Sequence, residues 1–212
     1  MSGSTKTTQR SVPSLLVLGL FVVLPVTVAF LISRQAAALQ VRRKAIAGAH
    51  GWATENKNEG QRAWIVRGFH HDVEFEAVHL LREGGGTAWR VRLPLGHEVP
   101  SWVLVTAPGV DWPPGHYGTI STLVTRTELP PPWPGAPSGL LVRAAPEVGA
   151  RMLLPAVVAA LASPPKPDGW AISFVDDAVM IDGAGDLPEG EALIPWLTLG
   201  ARLVRVFSPD AG

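Results

Sequence analysis

The chain predicts an α+β fold: one N-terminal transmembrane helix followed by a mainly antiparallel sheet, with two C-terminal helices packed on it. Three observations carry that expectation. Residues 11–33 contain no charged side chain and are bracketed by Arg10 and Arg34. From residue 63 the apolar pattern changes to a period of two, with glycine, proline and aspartate between the runs. Residues 189–207 then return to a helical period. The expected divisions are a tail at 1–10, the membrane helix at 11–33, a juxtamembrane helix and linker at 34–62, a soluble domain at 63–207 and a tail at 208–212.

As a helix, residues 11–33 rise roughly 34 Å, enough for a hydrocarbon core of about 30 Å. A cleaved signal peptide is the rival, because Lys6 and Arg10 precede the run and Ala36, Ala37 and Ala38 follow it. Its apolar region spans only about 7 to 15 residues and ends at its cleavage site, whereas Ser33, Arg34 and Gln35 intervene here. Gly19 and Pro25 are tolerable inside a membrane helix, and Pro25 predicts a kink. Basic flanks stay in the cytoplasm, and four cations (Arg34, Arg42, Arg43, Lys44) stand against two (Lys6, Arg10). That count expects a single-pass membrane protein with its C-terminal domain in the cytoplasm.

Residues 35–50 are rich in helix formers, so the membrane helix is expected to continue into them. Arg34, Arg42, Arg43 and Lys44 are then membrane-interface residues, with the lipid bilayer as partner. The polar run 54–62 reads as a hinge. Residues 1–44 hold six of the 18 basic residues and none of the 18 acidic ones. The remainder, with 12 basic against 18 acidic, nets −6, which argues against a phosphate-backbone-binding role for the domain and against nucleic acid as its partner. With no cysteine, disulfides, thiol catalysis and thiolate metal sites are excluded too.

Strands are expected at 63–66, 73–81 and 88–93, the last two joined by a hairpin through Gly84, Gly85 and Gly86. A phosphate loop requires a helix after the glycines, and Trp89-Arg90-Val91-Arg92-Leu93 reads as a strand instead. A further strand covers 102–107. Residues 108–137 are irregular, with a possible strand at 120–125. Their run Pro130-Pro131-Pro132-Trp133-Pro134 favours polyproline II, either as a stiff connector or as a loop offered to a protein partner.

Beyond it come a strand at 140–144, a helix at 146–162 interrupted by Pro155, and strands at 170–175 and 178–182 around Asp176-Asp177. The closing helix sets Leu193, Trp196, Leu197, Gly200, Leu203, Val204 and Phe207 along one face and Arg202 and Arg205 on the other. On Arg143-Ala144-Ala145, Met152-Leu153-Leu154-Pro155, Ile172-Ser173-Phe174-Val175-Asp176-Asp177 and this helix, the chain resembles bacterial single-pass membrane-anchored α+β proteins of unassigned function. The resemblance covers about residues 140–207. It implies a bacterial α+β domain and carries no catalytic residue across.

The densest group of chemistry-bearing residues is His70-His71-Asp72-Val73-Glu74-Phe75-Glu76-Ala77-Val78-His79. Read as one strand, it puts His70, Asp72, Glu74 and Glu76 on one face, so His70, Asp72 and Glu74 are the candidate metal ligands. A solvated face opposite a core face fits the same pattern. His97-Glu98 opens like a zinc-protease signature, but Ser101 stands where its second histidine belongs. Asp176, Asp177 and Asp182 are formally able to pair as acid and base; adjacent aspartates at a hairpin tip are more simply turn formers. The residues name no catalytic group and no cofactor. The leading expectation is therefore a membrane-anchored, non-enzymatic protein for interaction or scaffolding. The alternatives are a membrane-tethered metal-dependent hydrolase built on residues 70–79, and a small-ligand or lipid-binding domain.

Overall fold

The structure is a computed structural model that describes residues 13–56, 62–81, 86–99, 102–107, 140–145, 155, 159–160 and 169–207. It divides into two units, residues 1–45 and 46–212.

In the first unit helix α1 (Pro13–Ala49) runs unbroken through Pro25. Among the described residues, Val23–Ala49 is long and apolar enough to cross a membrane, and none of its apolar window is buried by protein. Its hydroxyls are satisfied within the helix: Thr27 Oγ1 donates to the Val23 carbonyl and Ser33 Oγ to that of Phe30, both at 2.8 Å. Such back-bonding leaves neither of these two hydroxyls bare on an apolar surface.

The last residues of α1 belong to the second unit, where the chain turns sharply. The Trp52 N–H donates to the Ala47 carbonyl (2.9 Å) and the Gly51 N–H to that of Gly48 (3.0 Å). Gly51 takes φ 71°. This is a Schellman cap, in which glycine supplies the left-handed residue and apolar side chains close over the turn. Ala47 and Trp52 do so here, both buried in the main core.

Eight antiparallel strands follow: β1 (Ala53–Glu55), β2 (Arg62–His70), β3 (Val73–Leu81), β4 (Thr87–Pro94), β5 (Trp102–Thr106), β6 (Leu141–Ala145), β7 (Trp170–Val175) and β8 (Ala178–Ala184). Their spatial order is β1-β2-β3-β4-β8-β7-β5-β6, so β5 and β6 are inserted beyond the β7–β8 hairpin. A 3-10 turn (Gly190–Ala192) leads into helix α2 (Ile194–Phe207), which packs on β4 and β8.

The α2 side holds the main core. Trp89 and Trp196 lie 5.1 Å apart, Trp52 meets Phe75 edge-on at 5.3 Å, and Phe174 meets Phe207 at 5.0 Å. Two glycines make the packing possible. A Cβ on Gly183 would enter the indole of its cross-strand partner Trp89, and one on Gly200 would sit 2.5 Å from Leu93. Every residue of β7 is buried, as is all of β8 except Ala184, so the middle of the sheet is covered on both sides.

The α+β expectation is met, with several boundary differences. The expected hinge at 54–62 begins as edge strand β1, fastened to β2 by the ion pair of Glu55 and Arg67 (2.7 Å). β2 extends to His70 because its residues have a complete cross-strand partner in β3. α2 starts at Ile194, later than residue 189, because Gly190 has φ 55° and Pro195 suits only a first turn. Of the expected helix at 146–162, the described residues Pro155, Ala159 and Ala160 are helical. The runs 108–137 and 130–134 lie outside the described residues.

Candidate functional site

The group centred on residues 70–79 proves to be a hairpin tip. His70 ends β2, His71 and Asp72 form a two-residue turn with φ 50° and 65°, and Val73 begins β3. Positive φ at both central positions defines the turn whose twist matches antiparallel strands, and His and Asp are among the non-glycine residues that enter this region. The reading of 70–79 as one strand is therefore corrected. His70 faces the α2 side with Val66 and Phe75, Asp72 sits in the turn, and Glu74 lies on the opposite face with Glu76. The turn separates the three: among the described residues no group of three or more His, Asp or Glu is placed to hold a metal ion.

α2 holds the tip in place. His70 Nε2 is 2.9 Å from Thr198 Oγ1, and Arg205 Nη2 donates to the His71 carbonyl at 2.8 Å. Partial burial lowers the His70 pKa below its ordinary value, with the nearby His71 and Arg205 adding to the effect. His70 and Thr198 carry the atoms of a nucleophile–base pair. Thr198, however, lies inside α2, where backbone N–H groups are committed to the helix and cannot stabilise an oxyanion. We read the contact as a structural tie between hairpin and helix.

Beside the tip lies an open depression of about 480 Å³, lined by His71, Asp72, Val73, Glu74, Pro94, Leu95, Gly96, Val204 and Arg205. It mixes two carboxylates with one guanidinium and a shallow apolar floor. That arrangement suits contact with a polar surface and lacks the enclosure that catalysis or capture of a small apolar ligand requires.

The sheet face opposite α2 carries charge in register. Arg67 binds Glu55 and Glu76, each at 2.7 Å, and Arg92 Nη2 reaches Asp177 Oδ1 at 2.7 Å. The hydrogen bonds that Arg67 donates to Glu76 and then to Glu55 raise its pKa further. A smaller depression of about 210 Å³ opens among Arg67, Glu74, Phe75, Glu76, Arg92 and Pro94. Deeper, Arg90 grips the wholly buried Asp182 through Nε to Oδ1 (2.7 Å) and Nη2 to Oδ2 (3.3 Å). Burial pushes the Asp182 carboxyl above its ordinary range, and the charge and hydrogen bonds of Arg90 pull it back.

The other sequence candidates separate. Asp176 and Asp177 form the β7–β8 turn, with Asp176 at φ 53°, while Asp182 lies inside the sheet; the three share no acid–base site. His97 Nδ1 lies 3.2 Å from the Leu95 carbonyl, a local loop contact. On α1 the Arg34 guanidinium stands over the Phe30 ring at 5.9 Å, Arg42 and Lys44 are exposed, and Arg43 is half-buried. Sequence reasoning missed the pairing of Arg90 with Asp182 and the role of Thr198. The first had a signal in retrospect, a lone aspartate in an otherwise apolar strand, but its partner lies 92 positions away.

No protein-family model matches the chain, and no curated protein matches its sequence. Among solved structures it is similar to the crystal structure of the mycobacterial trehalose monomycolate transport factor A, TtfA. The TM-score is 0.55 and the identity 17%, over 80% of this chain and 92% of that one. At that identity the likeness is one of fold.

Proposed function

We propose that this chain is a bacterial inner-membrane protein, anchored by a single helix, whose α+β domain acts by binding partners of a lipid-transport assembly and catalyses no reaction. The observation that carries the anchoring is the Val23–Ala49 part of α1, whose apolar window is unburied by protein and whose Thr27 and Ser33 hydroxyls turn back on helix carbonyls. Support for binding over catalysis comes from the described residues, where ionisable groups are spent on structural ties and the depressions are open and of mixed charge. The lipid-transport context is taken from the TtfA fold, which is matched over 92% of the crystallised chain. The excess of Arg and Lys after the apolar run favours a domain on the cytoplasmic side.

Two measurements test this. The full chain should float with liposomes and resist alkaline extraction, whereas a chain lacking residues 1–33 should stay in solution; flotation of the truncated chain would remove α1 as the anchor. A tag after Gly212 should survive protease in spheroplasts with sealed inner membranes. Its digestion would put the domain on the outer side and redirect the search to envelope partners.

A further inference from the structure

We propose that the sheet face opposite α2 holds an ordered internal water, bound between Asp182 of β8, Ser173 of β7 and Thr106 of β5. Among the described residues these are the polar side chains with no exposed surface at all. Alternation along the three strands puts them on one face, away from Val105, Ile172 and Ile181, which belong to the main core on the α2 side. Ala171 lies at their centre. It pairs directly with Asp182 on one side and with Thr106 on the other, and Ser173 stands two residues further along its own strand. Directly opposed Cβ atoms in such a sheet are about 5 Å apart and diagonal ones about 7 Å. A lone methyl flanked at those spacings by longer polar side chains leaves a recess roughly one water across.

The hydrogen-bonding groups around that recess say what it takes. Neither Thr106 Oγ1 nor Ser173 Oγ has a partner among the described residues, although both are wholly buried. A buried hydroxyl left unpaired is costly, and native interiors rarely keep one. Asp182 has acceptor positions left over: Arg90 takes one on each oxygen, Nε on Oδ1 (2.7 Å) and Nη2 on Oδ2 (3.3 Å), and a carboxylate offers about four. The occupant must be neutral, because Arg90 already balances the one carboxylate and the hydroxyls carry no charge. It must donate as well as accept, since Asp182 only accepts. It must also be small, because no part of the three residues reaches solvent. Water meets all three conditions: donating to Asp182 and to one hydroxyl while accepting from the other, it makes the three or so bonds usual for a buried water.

The test is a double-mutant cycle on the full chain in detergent, read by thermal unfolding, with magnetic relaxation dispersion of the solvent counting long-lived internal waters. Thr106→Val and Ser173→Ala should each lower the melting temperature by about 2–4 °C. The double variant should lose less than the sum of the two, because either change alone already loosens the shared water. It should also hold at least one long-lived water fewer than the native chain. Thr106→Ser keeps the hydroxyl and should retain that water, whatever the missing methyl does to the transition. Hydroxyls with no water between them behave in the opposite way: removing an unsatisfied buried group raises the melting temperature, and two independent removals add. A rise, an additive pair, or a water count that is the same in the native chain and the double variant overturns the proposal.

Discussion

The two faces of the sheet are held by different physics. On the α2 side, Trp89, Trp196 and Leu93 interlock with the bare backbone of Gly183 and Gly200, so shape is the constraint. On the other side a smaller apolar cluster of Ile65, Val78, Leu80 and Ala88 is joined by Arg67, Arg90 and Arg92, which are matched to carboxylates on neighbouring strands or the β7–β8 turn, so charge is an added constraint. The same strands serve both faces, because side chains alternate along them. Substituting an arginine of one face or a tryptophan of the other therefore tests mainly charge or mainly shape.

The largest expected loss comes from the buried charge. Arg90→Met leaves Asp182 without its cation and should cost about 3–5 kcal/mol near neutral pH, measured by thermal or urea unfolding of the solubilised chain. The sign with pH is definite. A carboxyl raised in the fold contributes stability that is present below its unfolded value near 3.8 and lost as pH rises through the folded value. The cost should consequently shrink on acidification. Replacing both partners, Arg90→Met with Asp182→Leu, should recover most of the loss, and failure to recover would mean that the pair organises more than its own charges.

Shape should matter as much on the other face. Trp196→Ala is expected to cost about 3–5 kcal/mol, and Gly183→Ala about 1–3 kcal/mol because its Cβ enters the Trp89 ring. A neutral Gly183→Ala would show that the aromatic layer can slide, and the contrast between the faces would weaken. Arg67→Ala lies on the solvent-exposed part of the charged face and should cost no more than about 1 kcal/mol, declining with salt.

The smallest effect concerns the hairpin tip. A histidine lowered in the fold contributes stability that is present above its unfolded value near 6.5 and lost as pH falls through its folded value. His70→Asn should flatten the acid limb of the melting-temperature profile relative to the native chain. An unchanged slope would indicate that the partial burial of His70 beside His71 and Arg205 does not distinguish the two protonation states.

Much of the architecture could be read locally. β3 was legible to the residue, since Val73 to Leu81 is bounded by a turn on one side and a glycine run on the other. The closing face of α2 was visible from its period, and Trp196, Leu197, Leu203 and Val204 are buried as expected. The hairpin tip was misread because the alternating polarity of Asp72 to Ala77 was carried back through His70 and His71, where the backbone reverses. Nothing in alternation records a turn made by His71 and Asp72, which lack the glycine that usually announces one. Edge strand β1 was missed for a related reason: three polar-flanked residues pair because β2 presents an open edge, a property of the partner.

By itself the sequence determined the apolar helix, the period-two strands and the separation of charge between residues 1–44 and the rest, because each depends on neighbours within a few turns or pleats. Tertiary structure alone decided that β8 sits between β4 and β7, that Asp182 meets Arg90, and that Gly183 receives an indole. Those outcomes depend on strands distant in the chain settling into one register, where a buried carboxylate must find a cation and a tryptophan must find room.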